Sequence, residues 1–238
     1  HTSIVTMQNG IPFWYFHRHG GEYEGRTVES VDPGGELIAA LGAARIIGSI
    51  VYPASELIAP GVVRHIEGNR FTLGEPDGSD SERIRAIAGA MRDAGFKAPI
   101  SNDIRSEIWL KLWGNVIFNP VSALTHATLE DICRFPLTRD LAAKVMAEAQ
   151  AIGEKLGVKF KVSIDKRIAG AEAIGAHKTS MLQDVEAGRA LELDALVGSV
   201  VEMGRITGLP TPHIDAVYAC AKLLDKTLQD AKGRLQLG

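Results

Sequence analysis

Apolar and polar positions follow two rhythms along the chain. Short β-rich runs alternate with amphipathic stretches in the first hundred residues, and beyond Ser101 only the helical rhythm remains. Residues 3–7 (Ser-Ile-Val-Thr-Met) read as a strand, closed by the turn signal Asn9-Gly10. Phe13–Gly35 holds Phe13, Trp14, Tyr15, Phe16 and Tyr23 among five glycines. It reads as an ordered loop that either covers a ligand or partner or packs on its own domain. A short helix is expected over Gly35–Ala44 and a strand over Arg45–Tyr52. Gly61–Ile66 and Asn69–Leu73 are expected to form a hairpin turning at Glu67-Gly68. Ser79–Ala94 carries Ile84, Ile87, Ala88 and Met91 at helical spacing, with Gly95 as its stop.

Asn102-Asp103 can cap a helix running to about Phe118, and Pro136 opens one that ends at Gly157. Further helices fit Val162–Ala173, Thr179–Thr207 and His213–Ala231. Residues 101–238 therefore read as an all-helical domain, with a boundary near Pro99. With 45% hydrophobic and 23% charged residues over 238 positions, the composition is that of a globular protein of one large or two modest domains.

Charge narrows the classes. Basic residues number 26 and acidic ones 29, a net charge of −3, which gives no general pull towards nucleic acid or an anionic membrane. The longest apolar stretch, Ala39–Val51, is interrupted by Gly42, Arg45 and Gly48, so no membrane span is expected. Two cysteines, Cys133 and Cys220, exclude a disulfide scaffold and point to a reducing cytoplasm. No CxxC or HExxH occurs, and His17-Arg18-His19 reads as loop histidines rather than a metal site. No signal peptide is visible, and a chain opening at His1 almost within a strand suggests a processed product or a fragment.

Lys111, Asn115 and Asn119 are the densest chemical signal. At i, i+4 and i+8 they drift by only ~40° per step, so they share one helix face over about 12 Å. Their neighbours Ile108, Leu112, Trp113, Ile117 and Phe118 are apolar, so the helix is expected to be buried all round. A polar stripe there costs stability unless it is solvated or bound to something, and a buried lysine has the lowered pKa of a proton donor. Ser180 with Gln183 fits a capping box, which would offer free N–H groups to a carboxylate. Glu192, between Leu191 and Leu193, reads alone as a surface acid. Asn9-Gly10 stands at a strand end, where ligands of open α/β sheets sit, though turn chemistry explains it equally well.

In order along the chain come Gln8-Asn9-Gly10, Gly74-Glu75-Pro76, Ala94-Gly95-Phe96, Ile108-Trp109-Leu110-Lys111-Leu112, and Asn115 with Asn119-Pro120. Ser122-Ala123-Leu124-Thr125, Ser180-Met181-Leu182-Gln183-Asp184, Glu192-Leu193-Asp194 and Pro210-Thr211-Pro212 follow. This ordered set resembles the ketopantoate reductase (2-dehydropantoate 2-reductase) family over nearly the whole chain. The resemblance implies an α/β plus all-α fold. Residues 1–100 would be the C-terminal part of a truncated Rossmann-like NADP-binding domain. Residues 101–238 would be an all-helical substrate-binding and dimerisation domain of the 6-phosphogluconate dehydrogenase C-terminal type. The implied reaction is NADPH-dependent reduction of ketopantoate to pantoate, for pantothenate and CoA biosynthesis, in the cytoplasm, without a metal and with a homodimer through the helical domain.

The resemblance also implies site roles. Lys111 matches the lysine that polarises the ketone and donates the proton, Asn115 and Asn119 the substrate-binding asparagines, and Ser180 the serine that holds the carboxylate. Glu192 matches an acid that contacts the cofactor and supports closure of the cleft, and Asn9 and Ala54 match cofactor-contacting positions. One departure stands out: the chain contains no GxGxxG. About ninety residues, the first half of the nucleotide fold, are expected to be absent. The chain alone is then expected to bind cofactor poorly and to be inactive, and the exposed sheet edge to favour association. A reductase of another 2-keto acid is one alternative, and a non-catalytic dimerisation module is the other.

Overall fold

The computed structural model describes residues 2–233. The chain divides into two compact units, one of residues 1–28 and 32–108, the other of 29–31 and 109–238. The division falls inside a helix, between Ile108 and Trp109.

The first unit is built on a three-stranded sheet. Strand β1 (Ile4–Met7) pairs in parallel with β2 (Ile46–Val51), Ile4 opposite Ile46, and β2 pairs antiparallel with a strand over Phe71–Gly74. Gly48 and Gly74 lie opposite each other in the register, and neither has room for a Cβ. The Trp14 ring would come within 2.6 Å of one at Gly48, and Ile104 within 2.5 Å of one at Gly74. The two glycines thus make a flat patch on which Trp14 and Ile104 lie. Trp14 Nε1 donates to Thr6 Oγ1 at 2.8 Å, which fixes the indole on the sheet. The opposite face buries Ile47 and Leu73 against Ile84 and Ala88 of an amphipathic helix.

That aromatic segment settles one open expectation. Phe13, Trp14, Tyr15, Phe16 and Tyr23 are all buried, Trp14 on the sheet of its own unit and Phe16 against the Tyr15 and Tyr23 rings. The Arg105 guanidinium holds the loop by donating to the carbonyls of Tyr15, His17 and Pro76, with its carbon 5.7 Å from the Tyr15 ring centre. At the end of the loop, buried Asp32 accepts from the N–H groups of Leu37 and Ile38 in the first turn of helix α1 (Glu36–Leu41).

The expected hairpin is a correction. Strand β3 (Ala54–Ala59) pairs antiparallel with β4 (Val62–Glu67), and the turn is at Pro60-Gly61. Phe71–Gly74, now β5, pairs with β2 instead. Glu67-Gly68 therefore joins two different sheets. Helix α2 (Glu82–Asp93) follows, with the Ser81 hydroxyl accepting from Ile84 N–H.

The second unit is helical. Helix α3 (Ile104–Thr125), which crosses the division, is followed by α4 (Leu129–Arg134), α5 (Pro136–Lys155) and α6 (Ile164–Glu172). Helix α7 (Ser180–Glu186), α8 (Ser199–Thr207) and α9 (Pro212–Asp230) complete it. Helix α5 is central and packs on α4, α6, α8 and α9. Trp113 of α3 reaches it by donating from Nε1 to the Met146 carbonyl at 2.7 Å, and its ring lies 4.7 Å from Phe160.

Two expectations for this region are corrected, and one helix is added. Helix α3 does not end near Phe118 but runs through Pro120 to Thr125. Proline removes one helical hydrogen bond, and the buried Val116, Ile117, Val121 and Ala123 around it hold the helix regardless. Helix α4 was not foreseen; it is six residues long and depends on a capping box between Thr128 and Asp131. The single helix expected over Thr179–Thr207 is broken. Gly188 takes φ +65°, Leu191 N–H turns aside to the Asp225 carboxylate, and a π-helical stretch over Asp194–Gly198 leads into α8. The final residues of the expected helical region, 234–238, lie outside the described residues. Cys133 and Cys220 are both free thiols.

Candidate active site

Helix α3 commits most of its surface to packing and leaves one polar arc. Ile108, Trp109, Leu112, Trp113, Val116, Ile117 and Phe118 are all 5% exposed or less. The other arc of the helix presents Lys111, Asn115 and Asn119 on successive turns. Asn119 is buried, and Lys111 and Asn115 are half-buried. Burial brings the Lys111 ammonium down to about 8, and the Glu192 carboxylate opposes that by favouring its charged form. Lys111 and Glu192, 81 positions apart, are therefore electrostatic neighbours. Glu192 is exposed, as expected of a surface acid, but its charge acts on the lysine.

Arg167, half-buried on α6, carries no signal of its own in the sequence. A Cβ at Gly114 would lie 2.8 Å from Arg167 Nη2 and 3.6 Å from the Phe118 ring. Gly114 and Phe118 lie on the arc next to Lys111, so the guanidinium covers one flank of the polar stripe. A glycine in the middle of an apolar helix was the available signal, because such a residue marks a close approach.

The structure changes how Ser180 is understood. It is the first residue of α7, not its cap. Thr179 is the cap: its hydroxyl accepts from Leu182 N–H at 3.2 Å, and Gln183 turns back to the Lys178 carbonyl at 3.1 Å. The exposed Ser180 hydroxyl is thus not committed to the cap. Glu192 stands in the linker between α7 and the π-helical stretch, a segment held by Leu191 N–H on Asp225 and by Asp194, which accepts from Tyr218 at 2.5 Å.

Asn9 and Ala54 belong to the first unit. Asn9 follows the carboxyl end of β1 by two residues, and Ala54 that of β2 by three. These strands are parallel neighbours, so both residues lie beyond the same edge of the sheet, the edge where α/β folds place their ligands. The same unit contains a cavity of about 270 Å³ lined by His17, Arg18, Glu75 and Arg83. Its charges answer one another, Arg18 with Asp77 and Arg83 with buried Glu75, so its walls are self-satisfied. Burial and the Arg18 charge lower the His17 pKa. Among the described residues no group of three or more His, Cys, Asp or Glu side chains is placed to hold a metal, and no helix is long and apolar enough to cross a membrane.

Comparison with known proteins bears on this geometry. The family profile for the ketopantoate reductase PanE/ApbA C-terminal domain matches residues 103–225, which include α3, α7 and Glu192. A 2-dehydropantoate 2-reductase of Mesorhizobium japonicum is 58% identical over 224 residues, 94% of this chain and 69% of that protein. The chain belongs to the ketopantoate reductase family. Within this family, the 2-dehydropantoate 2-reductase of Archaeoglobus fulgidus is 29% identical over 74% of this chain and 60% of its own length. A solved ketopantoate reductase candidate from Ralstonia solanacearum superposes with a TM-score of 0.90 at 41% identity, covering 95% of this chain and 69% of that one. The fold extends to D-mandelate dehydrogenase, solved with NADH, at a TM-score of 0.78 and 18% identity. The α/β plus all-α architecture is therefore that of a ketopantoate reductase, and this chain spans some 60–69% of the relatives' length.

Proposed function

We propose that the protein reduces 2-dehydropantoate to pantoate with NADPH, a step towards pantothenate and CoA. The observation that carries this reading is Lys111, a half-buried ammonium brought down to about 8, on one helix face with two amides. Such a group keeps its proton at neutral pH and releases it readily when a strong base forms beside it. Bound NADPH supplies the hydride that reduces the C2 ketone. Lys111 Nζ stands as donor to the ketone oxygen, stabilises the developing alkoxide and gives it the proton. Asn115 and Asn119 orient the substrate through amide donors and acceptors, and Ser180 donates to its carboxylate. Glu192 keeps Lys111 protonated before turnover.

Residues 1–100 act in this reading as part of the Rossmann-like nucleotide domain, and 101–238 as the substrate-binding and dimerisation domain. Asn9 and Ala54, beyond the carboxyl ends of two parallel strands, suit contact with the cofactor. The chain has no GxGxxG to cradle a pyrophosphate, and the preference for NADP over NAD rests on the family alone. The cytoplasm as compartment rests on cysteine usage. A homodimer is proposed by analogy with the dimeric ketopantoate reductase of Staphylococcus aureus.

The test is NADPH oxidation by the full-length gene product over a panel of 2-oxo acids. The expected result is a kcat/KM for 2-dehydropantoate at least tenfold above the others, roughly the discrimination of one well-used side-chain contact. A higher value for an aromatic 2-oxo acid would move the substrate elsewhere in the panel, and no oxidation with any of them would leave the non-catalytic reading.

Ser180 and Thr179 separate binding from capping. Thr179→Ala should cost roughly 1 kcal/mol of stability by removing the cap of α7. Ser180→Ala should leave the melting temperature unchanged and raise KM with kcat retained. A stability loss confined to Ser180→Ala would reverse the assignment.

A further inference from the structure

We infer that Arg167 is a second anion-reading group of the substrate site, holding the carboxylate of the 2-oxo acid along the flank of the Lys111 stripe. This rests on the reductase reading above. The first ground is position. The guanidinium lies over Gly114, three residues from Lys111 and one from Asn115 on the same helix. The approach is possible only because position 114 lacks a Cβ, which would sit 2.8 Å from Nη2. Helix α3 thus gives up a helix-favouring residue at a position where that arginine comes close.

The second ground is charge. A 2-oxo acid enters as an anion. Lys111 and Glu192 carry opposite charges, and the carboxylate acts on the ammonium. Lys111 also has the ketone oxygen to serve. Ser180 offers one hydroxyl, and α7, with seven residues, is too short to contribute an appreciable dipole. Arg167 brings a planar fork of donors that matches both oxygens of a carboxylate. Because it keeps its proton at every pH of interest, it does so without competing for the proton that Lys111 transfers.

The inference separates Arg167 from a merely structural arginine. In the full-length gene product, Arg167→Met should raise KM for 2-dehydropantoate by roughly ten- to a hundredfold, the worth of a lost charged hydrogen-bond pair. The change in kcat should stay within a few-fold, because Lys111 is untouched. KM for the neutral methyl ester of the same 2-oxo acid should hardly move, and Arg167→Lys should recover part of the loss. Gly114→Ala gives the same readout without removing the charge: the new methyl displaces the guanidinium, so KM for the acid rises while helix stability holds or improves.

Equal changes for acid and ester, or an unchanged KM for the acid in both variants, would overturn the assignment. If the wild-type protein turned over no 2-oxo acid, the functional reading would fall. Calorimetric binding of pantoate would still test Arg167: affinity lost in Arg167→Met and Gly114→Ala supports the anion site, and equal affinity overturns it.

Discussion

Lys111→Met should lower kcat by about a hundredfold or more and at the same time make the protein harder to unfold near pH 7. The catalytic half follows from the proton. Hydride addition leaves an alkoxide, and a positioned general acid is worth roughly 10²–10⁴ in rate. Methionine keeps the length of the side chain and has no proton to give. The stability half follows from burial, which brings the ammonium from the ordinary 10.5 to about 8. Below pH 8 both folded and unfolded chains carry the proton, and the folded one bears the full cost of burying it. Between about 8 and 10.5 the unfolded chain holds a proton that the folded chain has shed. Stability contributed at this site therefore rises with pH across that window. Methionine removes the titration, so the variant should show a higher melting temperature at pH 7 and lose the rise between 8 and 10.5. In the wild type kcat should fall as pH passes about 8 and the acid is lost. Melting curves and kcat at matched pH values check both halves. A variant with near-normal kcat, or one destabilised at pH 7, would remove Lys111 from the role given to it.

Trp113→Ala should cost about 3–5 kcal/mol of stability, the range for deleting a buried aromatic side chain. Trp113 is fully buried, packs on Phe160 and donates to the Met146 carbonyl of α5. Its removal leaves a cavity and takes away a buried hydrogen bond to the Met146 carbonyl, and the two costs act together. Trp113→Phe keeps most of the packing and loses the hydrogen bond, so its cost should be nearer 1 kcal/mol. The consequence reaches the site because Trp113 lies on the face of α3 opposite Lys111. When the back of the helix is loosened, the polar stripe loses its fixed position, and kcat/KM should fall in step with the stability loss. Urea unfolding midpoints compared with kcat/KM decide this. A Trp113→Ala protein as stable as the wild type would show that α3 is anchored elsewhere.

The elements that were legible in the sequence share one property: their causes are local. Helix α2 has its serine cap and glycine stop, α5 opens on Pro136, and α9 opens on Pro212. The common face of Lys111, Asn115 and Asn119 follows from helical periodicity alone. The misread elements had causes distant in sequence. The run at 61–66 was recognised as a strand, yet its partner proved to be Ala54–Ala59, because pairing is chosen between runs and not within one. Helix α3 passes Pro120 because buried neighbours on both sides outweigh one missing hydrogen bond. The break after α7 depends on Asp225, 34 residues beyond Leu191 in sequence.

The same division holds for the chemistry. Sequence by itself determined the types and order of the candidate site groups, the lysine, the two amides, the serine and the acid, and that no GxGxxG occurs in the chain. These are properties of residue identity and short spacing. Tertiary structure alone decided that Glu192 acts on Lys111, that burial brings the lysine to about 8, that Thr179 and not Ser180 caps α7, and that Arg167 stands over Gly114. Each of these is set by distance and solvent exclusion, which arise only when segments far apart in the chain are packed together.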